Sequence, residues 1–434
     1  MSHPSTELRR ELGIPGAVIT GLGSILGTGV FVSIGIGAGV AGTSVVWAIV
    51  VAALVAICNG LSSAQLAASH PVSGGTYEYG YHWLTPRLGF LAGWMFLWAK
   101  SASAATAALG FAGYLLPWLG IASDKMLVPV AMVAVVLLTV VVLGGIKRSS
   151  QINAVIVGMT LVALGGFVVV GMLAKPQAVF NVQGIVPQDF SWVAFAQATG
   201  LMFVAYTGYG RIATLGEEVK EPRRTIPIAV IVTLAVSMVI YFLVALVGVQ
   251  TVGAGQFAEF TQSGAAPLES IAREYKVPGI STLVAIGAIT AMLGVLLNLL
   301  LGLSRVALAM GRRHDFPPFL ARVQANSGVP GPATVLVALI IGTIVLLGSV
   351  KLAWSFSAFT VLVYYTITNA CALAMKPEER LYPRFVPVLG FVACLSLSFW
   401  VQRDVWLVGI GVLIAGLVWH QVARSVSSRT RTND

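Results

Sequence analysis

Charge is scarce in this chain. Asp, Glu, Lys and Arg together make up 10% of its 434 residues, against roughly 25% in an ordinary soluble domain. That shortage excludes a chain kept in solution by a charged surface. Acids are rarer than bases, 16 against 26, and none falls in the middle of an apolar run. A general acid–base pair at one depth is therefore missing. Cysteine is nearly absent: Cys58, Cys371 and Cys394 lie singly in apolar stretches, which excludes a disulfide framework or a cysteine-based metal site. His70 and His82 lack companions at metal-ligand spacing. No catalytic residue, metal ligand or cofactor site emerges, and the chain does not read as an enzyme. No secretory leader is expected, because Arg9 and Arg10 precede a first apolar run without a small-residue cleavage site.

What is abundant is hydrophobicity, 57% of residues, arranged in runs long enough to cross a bilayer. Marked against polar punctuation, the runs predict twelve spans, at 13–41, 44–67, 86–117, 126–146, 151–174, 190–216, 225–250, 279–310, 331–348, 350–375, 385–401 and 404–422. The net charge of +10 follows the topology. With both termini in the cytoplasm, seventeen Lys and Arg residues fall in inner segments and six in outer ones, the positive-inside bias. Nucleic acid is not needed to explain the charge, since no basic stretch is interleaved with aromatics. The expectation is an all-α polytopic protein of the plasma (inner) membrane, embedded in the lipid bilayer, with cytoplasmic tails at 1–12 and 423–434.

The first span holds GLGSILGTGVF at 21–31, with four glycines in eleven residues. Each costs about 1 kcal/mol relative to alanine inside a helix, so the span is predicted to break there. The sixth span carries a second such stretch, FVAYTGYGRIATLGEEV at 203–219. Alone, the first could be a dinucleotide loop or a GxxxG packing face. The lack of a βαβ setting dismisses the one, and recurrence five spans later outweighs the other. Five spans per half set 13–174 and 190–375 inverted in the membrane, leaving two helices at 385–422 outside the repeat. Broken helices at matching positions of inverted repeats point to a midplane site. The N–H groups of Gly27, Thr28 and Gly29 would meet a carboxylate at the positive end of a half-helix. Carbonyls around Ser24, Ile25, Phe203, Val204 and Ala205 would meet an ammonium. The pair outlines an amino-acid zwitterion.

GSILGTGVF resembles the first-helix signature of the amino acid–polyamine–organocation (APC) superfamily. LSSAQLAASHPVSGGTYEYGYHWLTPRLGFLAGW at 61–94, LGEEVKEPRRTIPIA at 215–229 and SRVALAMGRRHDFPPFLARV at 304–323 resemble further blocks of it. The resemblance implies the leucine-transporter-like fold with helices 1 and 6 broken, and carriage of amino acids or amines. It implies that Gly27, Thr28 and Gly29 meet the substrate carboxylate, and the backbone of Ile25, Val204, Ala205 and Thr207 its amino group. Many members hold a fifth-helix lysine where related transporters hold sodium; the matching residue here is Thr160. Many also hold an acid after the sixth-helix break, where Thr207 and Gly210 stand. The family's coupling scheme does not carry over directly, and a sodium site of neutral oxygens including Thr160 stays open.

Three cations lie within spans: Lys100, Arg211 and Arg305. Charges at that depth cost at least about 2.5–3.5 kcal/mol and face a partner or a wet route. Lys100, near the middle of the third span, is expected to face substrate and carry a proton; the alternative is a structural lysine bonded to loop carbonyls. Arg211, within reach of Glu217 and Glu218, is a gate or substrate residue, and Arg305 is read as structural. Asn298, deep in the eighth span, is expected at the substrate side chain or in an interhelical hydrogen bond. Phe203 and Tyr206 are candidate lids. Lys100 repels cationic side chains and no acid in the spans offsets it, so neutral or acidic amino acids are favoured over arginine and polyamines.

The sequence thus reads as a secondary active amino acid transporter working by alternating access, with proton-coupled symport ahead of exchange. Arg211 and Glu217 would close its inner side. A channel lacks the polar stripe that it would need. A non-transporting amino-acid sensor is the competing reading from another class.

Overall fold

The computed structural model describes residues 12–71, 74–121, 123–145, 150–176, 190–213, 219–324 and 328–431. Every extended element among them is a helix, and the one β-bridge is an isolated parallel pairing of Leu12 with Val219. Six helical runs are long and apolar enough to cross a membrane by length and composition: Gly29–Ser69, Gln151–Ala174, Pro222–Gly264, Ile280–Arg312, Val350–Ala374 and Arg403–Ser425. Four shorter apolar helices accompany them.

Helix α1 (Ile14–Ile25) ends where Leu26 turns extended, at φ −74° and ψ 101°. The chain resumes as a five-residue π-turn, Gly29–Ser33, and runs on as α2 (Ile34–Ala41). The first bonds of this second half come from Val30 and Phe31, both donating to the Gly27 carbonyl at 3.1 Å. Helix α3 (Val45–Ser69) leads to a short α4 (Thr76–Trp83) and then to α5 (Pro86–Trp118). At 33 residues, α5 is about 50 Å long. Its start follows from sequence: Pro86 takes the first turn, and the Thr85 side chain accepts from Leu88 N–H at 3.3 Å. Helices α6 (Leu127–Leu143) and α7 (Ser150–Ala174) complete the first half of the chain.

The second half opens on α8 (Trp192–Tyr206), capped by Ser191. A tight 3₁₀ turn, Thr207–Tyr209, then interrupts the helix before the single turn of α9 (Gly210–Ala213). Helix α10 (Pro222–Gly264) bends at Gly253, whose φ of 80° and ψ of 156° lie outside helical space. The segment beyond that bend leads into the short α11 (Pro267–Glu274). Helices α12 (Ile280–Arg312), α13 (Gly331–Val345), α14 (Val350–Ala374), α15 (Phe385–Ser398) and α16 (Arg403–Arg431) follow.

The two interruptions meet. Gly208 lies so close to the Ser24 carbonyl oxygen that a methyl group there would also sit 2.7 Å from Ile25 N. Gly29 faces Ala205 in the same way, and a methyl group on it would come within 2.8 Å of the Ala205 side chain. Each break thus presses a glycine onto the backbone of the other. Helix α10 holds both: the Tyr241 hydroxyl reaches the Ile25 carbonyl at 2.8 Å and the Ala205 carbonyl at 3.2 Å.

Candidate substrate site

A cavity of about 710 Å³ opens beside the two interruptions. The first contributes Ser24, Ile25, Thr28 and Gly29 to its wall; the second contributes Val204, Ala205, Thr207 and Gly208. The cavity runs on past Asn298 and Arg305 of α12 to Glu78 of α4 and to Arg312 and Arg313. It therefore opens at the end of the molecule that carries α4. The opposite end is sealed. There Tyr114 of α5 donates to the Phe31 carbonyl at 2.7 Å and accepts from Leu268 N–H of α11 at 3.2 Å.

Lys100 reaches the site from α5. It is buried, and its ammonium donates to the Thr207 hydroxyl at 2.7 Å. That hydroxyl passes its own proton to the Val204 carbonyl, also at 2.7 Å. The same carbonyl accepts from Thr207 N–H. The second interruption is thus tightened by its own hydrogen bonds where the first is unwound. Carbonyls expected to stand free for a ligand are engaged: Val204 by Thr207, and Ile25 and Ala205 by Tyr241. A carbonyl has two lone pairs, so Ile25 and Ala205 each keep capacity for one more donor, whereas Thr207 fills both at Val204.

The structure brings Ile25, Thr28, Gly29, Lys100, Val204, Ala205, Thr207, Arg211 and Asn298 to one cavity wall. Thr28 is 4% exposed, and its hydroxyl has no partner among the described residues. Gly27 stands behind the wall, where a methyl group would meet Val295 of α12. The proposed lids face inward. Phe203 packs edge-on against Tyr365 of α14, and Tyr206 lies against Tyr241 and donates to the Ile49 carbonyl at 3.2 Å. Thr160 is buried in α7 and spends its hydroxyl on the Ile156 carbonyl of its own helix. Glu217 and Glu218 lie outside the described residues. Arg305 exposes its side chain and lines the cavity.

Two features escape sequence reasoning. One is the Tyr241 hydroxyl across both interruptions. The other is a buried carboxylate at the open end. Asp315, 4% exposed, accepts from Tyr77 at 2.7 Å and Tyr81 at 2.6 Å, and lies 3.4 Å from His420 Nδ1 of α16. Burial first, then Asp315, pushes both phenols above their ordinary range, so they act as neutral donors. Arg313 stacks 4.4 Å over the Tyr81 ring and binds Glu78. Together these contacts fasten α4, which lines the mouth of the cavity, to the chain just after α12 and, through Asp315, to His420 of α16.

The sequence matches the amino acid permease family model over residues 16–429. An uncharacterized transporter of Mycobacterium tuberculosis is 39% identical over 99% of this chain and 94% of its own length. A branched-chain amino acid permease of Bacillus subtilis is 29% identical, over 95% of this chain and 91% of its own. A methylthioribose transporter of the same organism is 26% identical, over 94% and 93%. With a family match spanning nearly every residue and apolar helices arranged around a cavity between two interrupted ones, the chain belongs to the amino acid permease family and is a multi-pass membrane transporter, not an enzyme.

Proposed function

We propose that the protein is a secondary active carrier of neutral or acidic amino acids, coupled to protons and working by alternating access. The observation that carries the reading is the single cavity walled by both interrupted helices, with Lys100 bonded to the second of them. In this reading twelve helices cross the plasma membrane with both ends cytoplasmic. Residues 13–174 and 190–375 form a 5+5 inverted repeat, and 385–422 adds two helices. The substrate carboxylate meets the turn at Gly27, Thr28 and Gly29, whose N–H groups head a half-helix. Its amino group shares the carbonyls of Ile25, Val204 and Ala205 and the Thr207 hydroxyl, with Phe203 behind them. Asn298 faces the side chain.

Lys100 is a buried amine in the cavity wall, which makes it the proton carrier in this scheme. Arg211 with Glu217, and Tyr206 on the opposite side, would gate the two mouths. The cations that line the cavity disfavour arginine and polyamines. Substrate class is not inherited from relatives, whose names run from branched-chain amino acids to methylthioribose.

The test is uptake of labelled amino acids into proteoliposomes under imposed proton or sodium gradients, with and without internal amino acid. Proton-driven accumulation that Lys100→Met abolishes supports the scheme. Sodium-driven accumulation that Thr160→Val abolishes would replace it. Flux only against internal amino acid would make the protein an exchanger, and binding without flux a sensor.

A further inference from the structure

The site is short of acceptors and rich in donors. Four of the acceptors placed around a substrate ammonium already hold a donor from the protein: the Ile25 and Ala205 carbonyls hold Tyr241, the Val204 carbonyl holds Thr207, and the Thr207 hydroxyl holds Lys100. The last of these donors is itself an ammonium, seated where the substrate's is expected. On the other wall the balance is reversed. Thr28 is buried with an unpartnered hydroxyl, and it begins, with Gly29, a helical turn whose N–H groups have no acceptor within the helix. The charges along the wall lean the same way: Lys100, Arg305, Arg312 and Arg313 are cationic. Glu78, the acid among the described lining residues, is already bound by Arg313.

We propose that this carrier also accepts carboxylates that lack an amino group, with Lys100 supplying the positive charge that an amino acid brings for itself. The proposal rests on the cavity being the substrate site, as argued above. Its logic is charge balance in a place with little water. A carboxylate beside protonated Lys100 gives a neutral loaded site. A zwitterion gives the same neutrality only if Lys100 has released its proton, because two ammonium groups around one hydroxyl repel strongly where water does not screen them. The 2-oxo acids are the chemical class that keeps an amino acid's carboxylate and side chain and omits only the ammonium.

The experiment uses the full chain in proteoliposomes and matched pairs: alanine with pyruvate and leucine with 4-methyl-2-oxopentanoate. Each oxo acid competes with uptake of its labelled amino acid, and each labelled oxo acid is also offered directly. The expected result is competition by the oxo acid within about tenfold of the amino acid itself. Because Lys100→Met is expected to lose driven uptake, its ratio is read as competition for binding of the labelled amino acid; it should move at least about tenfold against the oxo acid, and Lys100→Arg, which keeps the charge, should move it less. Amino acid uptake with no competition from a large excess of oxo acid would overturn this inference and leave the amino acid reading standing. Oxo acid uptake without amino acid uptake would do the reverse. An unchanged ratio in Lys100→Met would overturn the role given to Lys100.

Discussion

The contact of the two interruptions can be tested with one methyl group. In Gly208→Ala the new Cβ would fall against the Ser24 carbonyl and 2.7 Å from Ile25 N. Non-bonded heavy atoms settle at about 3.5–4.0 Å, so the two breaks would have to separate by roughly 1 Å. Overpacking in a protein interior costs about 1–3 kcal/mol when side chains can move aside. Here the obstacle is backbone, which has no alternative rotamer, so the upper end of about 3 kcal/mol applies. Gly158→Ala on α7 is the control, since nothing lies within 4 Å of its added methyl. Losing a mid-helix glycine should stabilise that variant by about 0.5–1 kcal/mol. The two variants should therefore differ by about 3–4 kcal/mol, read as apparent melting temperatures of the detergent-solubilised protein. Uptake should fall at least about tenfold in Gly208→Ala, because a 1 Å displacement at a binding site is enough to misplace its ligand. If Gly208→Ala melts and transports like Gly158→Ala, the two breaks do not touch at this point and the cavity has a different wall.

Tyr241→Phe keeps the ring that packs on Tyr206 at 5.1 Å but leaves two carbonyls without their donor. It should cost about 1–3 kcal/mol and lower uptake, and a variant equal to wild type in both would show the hydroxyl to be dispensable. Asp315→Asn weakens a buried acceptor of two tyrosines. Thermal unfolding should register a loss of about 1.5–3 kcal/mol, the range for bonds to a charged group. His70, at the end of α3, stacks 4.4 Å from His82, and burial first, then the charge of His82, holds its titration below the ordinary range. Its contribution to stability is thus fully present above an unfolded value of about 6.5 and is lost as pH falls through its lowered folded value. The melting temperature should drop as pH falls below about 6.5, and less steeply in His82→Gln, which removes the second imidazole. Equal slopes in the two proteins would contradict that account.

What the sequence made legible was mainly what glycine and charge dictate locally. Four glycines in eleven residues weaken an apolar helix, and the chain does leave the helix at Leu26. The second interruption, at Thr207–Tyr209, falls inside the stretch singled out for the same reason. What the glycines could not tell is that the two breaks differ in kind. Thr207 can bond back to Val204 with both N–H and hydroxyl, which tightens the chain into a 3₁₀ turn. Phe203 and Tyr206, on the helix before that turn, pack against Tyr365 and Tyr241. Tyr241 sits in the apolar run SMVIYFLVAL and has the sequence signature of a core residue. Its partners are 36 and 216 positions away, a distance that only the tertiary fold spans. Asp315 is hidden for a related reason: in GRRHDFPP it looks like one more loop charge, and the tyrosines that bury it belong to α4.

The asymmetry of the cavity bears on how such a carrier could turn over. Its sealed end is held by a short relay, from Leu268 N–H through the Tyr114 hydroxyl to the Phe31 carbonyl, which ties α11 and α5 to the first interrupted helix. Those are neutral hydrogen bonds, each worth about 0.5–1.5 kcal/mol net, and they add to the packing of Phe31, Tyr114 and Leu268, all fully buried. The open end is different. It presents Arg305, Arg312 and Arg313, and closing it would bring these cations together unless anions came with them. Glu78 is already positioned for this on Arg313, and Asp315 lies beneath the same pair of tyrosine rings that Arg313 covers. Both acids sit on or against α4. The short helix is thus more than a connector between α3 and α5. It gathers acid at the cationic mouth: Glu78 on Arg313 and, through Tyr77 and Tyr81, Asp315.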